Sequence, residues 1–183
     1  MTKHLSLFLM IITMYACGDA PVPKPKAMLR LDYPKPEYLS IDEPCPFNFE
    51  ANRIATVSKN GDCQMEVKYE KLNATVHITY KEIRDNLTEL LKDAQNLTVE
   101  HNVKADAIVE QPFINDEGRK FGMFYEVTGD AASQSQFYLT DSTRHFLTGA
   151  LYFYAKPNYD SILPAAEYIK RDMRILMESM KWQ

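Results

Sequence analysis

Thiols, imidazoles and one ionisable turn are the groups in this sequence whose types and spacing could do chemistry. Cysteines stand at 17, 45 and 63. Cys17 ends an apolar run at the start of the chain, a placement suited to acylation. Cys45 and Cys63 remain as an even pair, which in an exported chain points to a disulfide. Free thiols are the next reading of that pair, and redox or metal chemistry the last. A metal would need further ligands, and none is adjacent in sequence. His77, His101 and His145 lie apart, with no i, i+4 ligand spacing, so each reads as a surface or packed histidine. Carboxylates are plentiful, but no pair stands out for acid–base work. Phosphate-cradling glycine motifs, the G-x-S-x-G elbow and H-E-x-x-H are missing. The expectation is therefore no cofactor, no metal, no catalytic residue and a non-enzymatic chain.

The segment from Gln134 to Phe146 is unusual. It sets a polar, ionisable turn, Asp141-Ser142-Thr143-Arg144-His145, between aromatic strands. Asp141 can accept from the amides of its own turn. Arg144 can then pair with Asp141 or with the carboxylate of another protein. The plain reading is a capped hairpin. The functional reading makes Asp141, Arg144 and His145 a partner-binding edge.

The N-terminus carries a different kind of signal. Lys3 and His4 precede the apolar run Leu5–Met14, the layout of a secretory signal peptide and too short to span a bilayer. Ala16-Cys17 at its end is similar to the lipobox of bacterial lipoproteins, although Met14 stands where Leu is usual. Cleavage before Cys17 and three fatty chains on its thiol and amine would anchor the protein stably. Seven of the ten prolines fall between Pro21 and Pro46, and the alternating Pro of Pro21–Lys26 favours an extended, semi-rigid spacer. The organisation expected is a signal peptide over 1–16, a lipid anchor and Pro-rich tether over 17–27, and one domain over 28–183. That domain would face the periplasm.

These groups need elements to position them. Apolar residues make up 45% and charged residues 25%, a soluble globular mix. The formal charge of −4 offers no basic field, so nucleic acid is not expected as a partner. Period-two alternation marks strands at 28–33, 47–50, 65–69 and 75–80, then at 107–113, 120–128, 136–140 and 146–155. The last four have short links and suggest an antiparallel meander. Thr79 to Glu82 has the capping-box form, and Ile83, Leu87, Leu90, Leu91, Ala94 and Leu97 make a helical stripe. Asn158, Asp160 and Ser161 offer caps for a final helix with the stripe Ile162, Ala165, Ile169, Met173, Leu176, Met177 and Met180. The fold class is α+β, an antiparallel sheet flanked by two main helices. The triplets at Asn73, Asn86 and Asn96 have the glycosylation form, but the lipobox-like Ala16-Cys17 argues for a bacterium, where they would be incidental.

Taken together, several phrases resemble the gliding-motility lipoprotein GldD family of the Bacteroidota. They are Cys17 with its following Pro-Lys-Pro, Leu29–Pro34, Cys45–Glu50 and Ile78–Lys81. The strongest are Gln136–Ser142, His145–Phe153 and Pro157–Ser161, and Met180-Lys181-Trp182 closes the match. Thr148 departs from the basic residue expected before Gly149-Ala150, so no charged site is placed there. The resemblance implies an accessory lipoprotein of the cell envelope, needed for gliding and for the associated type IX secretion system. It would be anchored in the outer membrane and act as an assembly or stabilising factor. Its partners would be other envelope proteins of those machineries and, through lipid, the membrane. No enzymatic activity comes with the family. The C-terminal strands and helix also resemble the Mog1/PsbP-like fold. An envelope module for a small ligand or glycan, with a pocket between sheet and helix, is the alternative function.

Overall fold

The computed structural model describes residues 32–100, 104–154 and 159–183. The signal segment, Cys17, the tether, most of the strand expected over 28–33, His101 and Asn158 lie outside them. The elements are β1 (Tyr38–Ile41), β2 (Phe47–Asn52), β3 (Thr56–Asn60), β4 (Gln64–Tyr69), β5 (Ala74–Glu82) and α1 (Leu87–Glu100). They continue with β6 (Ala105–Asn115), β7 (Lys120–Gly129), β8 (Ser135–Thr140), β9 (His145–Phe153), α2 (Tyr159–Ser179) and β10 (Lys181–Trp182). The architecture is α+β. Seven antiparallel strands run in the order β3-β4-β5-β9-β8-β7-β6, and a small second sheet runs β1-β2-β10.

The alternation of side chains along each strand decides which face meets which layer. Val76, Ile78, Leu147, Leu151, Phe137, Leu139 and Phe124 share one face. They form the main core with Phe47, Phe49 and Ala51 of β2 and with Ile169, Met173, Leu176 and Met177 of α2. Phe146 and Tyr138 point to the opposite face, where Leu90 and Ala94 of α1 cover them. Gly149 is required here, because a Cβ at that position would lie 2.2 Å from the Phe137 ring.

Several sequence expectations are corrected. Asp32 and Tyr33 are not in a strand, and the first strand is Tyr38–Ile41. Thr79 and Glu82 do not open a helix. Their strand pairs with β9 over nine residues, as far as Glu82 opposite His145, and that ladder outweighs a local cap. A turn with Asp85 at φ +59° follows, and α1 begins at Leu87. The polar edge strand β3 and the two-residue β10 carry too little pattern to be read. On α2 the buried alanine is Ala166 rather than Ala165, and Asp172 joins the buried stripe.

Candidate partner-binding site

Four residues, Asp141–Arg144, link β8 to β9, and one carboxylate organises them. Asp141 Oδ1 accepts from the amides of Thr143 at 2.9 Å, Arg144 at 2.8 Å and His145 at 2.8 Å. Its Oδ2 accepts from the Thr143 hydroxyl at 2.8 Å. The Thr140 hydroxyl donates to the His145 carbonyl at 2.7 Å and accepts from the Ser142 amide at 2.9 Å. Ser142 sits at φ +66°, in the left-handed region. Burial pushes the Asp141 carboxyl up, but the three amides and the hydroxyl outweigh it and draw its pKa down to about 2. The charge is thus held by aligned N–H dipoles from its own turn.

Neighbouring elements brace the turn. Tyr80 of β5 lies with its hydroxyl 3.0 Å from His145 Nδ1. The Trp182 indole stacks on the imidazole at 5.2 Å between ring centres, 10° from parallel. Trp182 Nε1 donates to the carbonyl of Arg119 at 3.1 Å. Arg119 in turn donates to the Asp141 carbonyl at 3.4 Å and the Thr143 hydroxyl at 3.3 Å. Burial pushes the His145 pKa down against the pull of Asp141, so the imidazole stays neutral near pH 7. His145 is therefore a packed histidine.

Arg144 is exposed. Its amide goes to Asp141 and its carbonyl accepts from Ile83 N at 2.9 Å. Its guanidinium forms no ion pair with any described residue. The Asp141–Arg144 side-chain pair that the sequence left open does not form; three amides and the Thr143 hydroxyl occupy the carboxylate instead. Arg84 nearby is engaged with Glu82 at 2.8 Å. The result is a turn, braced by Arg119 and the partly exposed Trp182, that presents Arg144 to solvent.

The remaining sites named from sequence are placed as follows. Cys45 and Cys63 are joined by a disulfide, with Cα atoms 5.6 Å apart, tying the approach to β2 to the β3–β4 turn. His77 lies on the opposite sheet face from His145, 3.7 Å from the Glu66 carboxylate. Among the described residues, no group of three or more His, Cys, Asp or Glu is arranged to hold a metal. Nor is any described helix long and apolar enough to cross a membrane.

Sequence reading missed two buried polar centres. Asp172 of α2 accepts from Tyr38 Oη at 2.7 Å, Asn52 Nδ2 at 2.8 Å and Tyr69 Oη at 3.0 Å. Burial pushes its carboxyl pKa up, and these neutral donors recover only part of the cost. Lys120 is also buried. Its ammonium donates to the carbonyl of Glu178, close to the C-terminus of α2, and lies 5.7 Å over the Phe113 ring. That is a cation at the negative end of a helix. No single-sequence signal marks either centre, since their partners are far along the chain.

No match was found among curated proteins. The model of a family described as gliding motility lipoprotein GldD matches residues 18–182. That span takes in the braced turn, the disulfide and both helices, and the chain belongs to the GldD family of gliding motility lipoproteins.

Proposed function

We propose that this gliding motility lipoprotein is a non-enzymatic assembly or stabilising factor. It would serve the motility apparatus and the type IX secretion machinery associated with it, through protein contacts made around the Asp141–His145 turn. Its partners are other envelope proteins of those machineries. Cys17 is the lipidated N-terminus, anchored in the outer membrane, and the Pro-rich tether carries the domain into the periplasm.

The observation that carries this reading is the contrast within the turn. Every polar group of Asp141, Thr143 and the turn backbone named above has a partner inside the protein. Arg144 alone among its charged side chains has none among the described residues. The backbone that carries this guanidinium is already ordered, so binding has only the side chain left to order. The guanidinium can meet a partner carboxylate with two parallel hydrogen bonds. Arg is also among the residue types enriched at interface hot spots.

A photo-crosslinking side chain at position 144, in cells, tests the proposal. The expected adduct contains an envelope protein of the gliding or secretion machinery, identified by mass spectrometry. The same probe at Val109, an exposed site on β6, should not give it. Equal recovery from both positions would remove the turn as the contact surface.

A further inference from the structure

On the other face of the sheet, α1 does not close completely onto the strands. Between them lies a cleft of about 230 Å³ with Thr79, Leu90, Ala94, Leu97, Phe146 and Thr148 among its walls. Its walls are mainly apolar: Leu90, Ala94, Leu97 and Phe146 provide the surface, and the threonine methyls can add to it. The two charges at the cleft, Lys81 and Asp93, lie 4.0 Å apart and are both more than half exposed. They balance each other, so the cleft has no net charge with which to select an ion.

A second observation comes from a small hollow that shares Ala94, Leu97 and Thr148 as walls with the cleft. Gln136 lines it. This side chain is 3% exposed, and its Nε2 has no hydrogen-bond partner among the described residues. Thr98 Oγ1 lies 3.2 Å from Gln136 Oε1 and 3.2 Å from the Ala94 carbonyl. A hydroxyl has one proton to share between those two acceptors. Whichever end the carboxamide turns toward Thr98, its other end is left unmatched. An unpaired buried amide keeps an uncompensated desolvation cost, so the site favours whatever brings it a partner.

We infer that this cleft is a binding site for a small, neutral, mainly apolar molecule bearing a hydroxyl group. The apolar body lies along Leu90, Ala94, Leu97 and Phe146, and the hydroxyl reaches Gln136. A hydroxyl both donates and accepts, so it satisfies either orientation of the carboxamide. A cavity of ~150 Å³ holds benzene, so this one suits a ligand of roughly eight to ten non-hydrogen atoms. The inference uses none of the residues of the Arg144 surface: Arg144, Arg119 and Trp182 are not among the walls of the cleft.

The test uses full-length lipidated protein in nanodiscs, with 4-fluorobenzyl alcohol as probe and 4-fluorotoluene as its counterpart without the hydroxyl. Fluorine NMR should show saturable binding of the alcohol, above the partition into empty discs. Ala94→Phe, which fills the cleft, should abolish it. Thr148→Leu, at a half-buried wall of the cleft, should weaken it and covers the case in which Ala94→Phe does not fold. Gln136→Leu should weaken the alcohol about three- to tenfold, the worth of one hydrogen bond, and leave the toluene unchanged or tighter. Non-saturable signal, or binding unaffected by both cleft variants, would overturn the site. Equal response of the two probes to Gln136→Leu would overturn the hydroxyl assignment. Displacement of the alcohol by a partner protein but not by excess unlabelled benzyl alcohol would assign the cleft to protein docking and overturn the inference.

Discussion

Asp141 and Asp172 are both buried carboxylates, and neither forms an ion pair among the described residues. Their environments nevertheless move them in opposite directions. Asp141 receives three amides and a hydroxyl from residues two to four positions away. Asp172 receives side-chain donors from residues 134, 120 and 103 positions away. Burial raises both pKa values, but only the converging backbone dipoles around Asp141 overcome it. The lesson is that hydrogen-bond donors hold a buried charge only where together they outweigh its desolvation. Asp172 has three donors and still pays for its desolvation, while acting as the knot that ties β1, β2 and β4 to α2.

The largest effect expected from this comparison is at Asp172. Asp172→Ala leaves two tyrosine hydroxyls and the Asn52 amide with a lost acceptor across three elements, and should cost about 3–5 kcal/mol by urea denaturation. A loss under 1 kcal/mol would show that the knot is not structural.

Asp141→Ala should cost less, about 2–3 kcal/mol at pH 7, because the orphaned amides of an exposed turn can reach water. This effect depends on pH. A carboxyl drawn down to about 2 stabilises the fold above the unfolded value near 4, and that contribution is lost as pH falls through 2. The gap between wild type and Asp141→Ala should therefore be full above about pH 4 and shrink toward pH 2. A gap independent of pH would contradict the charge-holding role of the turn.

How much of this was legible in the sequence follows the same division between near and distant partners. The Asp141 turn could be read because its partners lie within four residues. The stripes of α1 and α2, the β6–β9 meander and the α+β class were legible because their periods are local. The Asp172 centre was not, since an Asp within an amphipathic helix looks like any solvated position until Tyr38, Asn52 and Tyr69 arrive. Trp182 was visible as a family feature, but its stacking on His145 was hidden in a two-residue strand. The Thr79–Glu82 box shows the reverse error, a genuine local signal overruled by nine paired residues of β5.

A smaller effect is expected from Asp172→Asn. The new carboxamide can accept from Asn52 and Tyr69 through its oxygen and donate to the Tyr38 hydroxyl. The knot is kept and the buried charge is removed. Stability at pH 7 should stay within about 1 kcal/mol of wild type or exceed it. A raised folded pKa means that the wild-type carboxyl favours folding at low pH and loses that advantage as pH rises. The variant should therefore compare better with wild type at pH 7 than at pH 4. The opposite trend in denaturation curves at the two pH values would reverse the assignment.

The smallest effect on stability and the largest on function are expected at one residue, Arg144. Its guanidinium pairs with nothing among the described residues, so Arg144→Ala should leave the unfolding midpoint essentially unchanged. If a partner carboxylate is buried against it, the substitution should cost about 2–5 kcal/mol of binding. Measured side by side in cells and on purified protein, the account predicts a normally stable, normally anchored Arg144→Ala protein with gliding and type IX secretion lost. A stable Arg144→Ala protein with full gliding and secretion would contradict the interface and leave the turn as a capped hairpin.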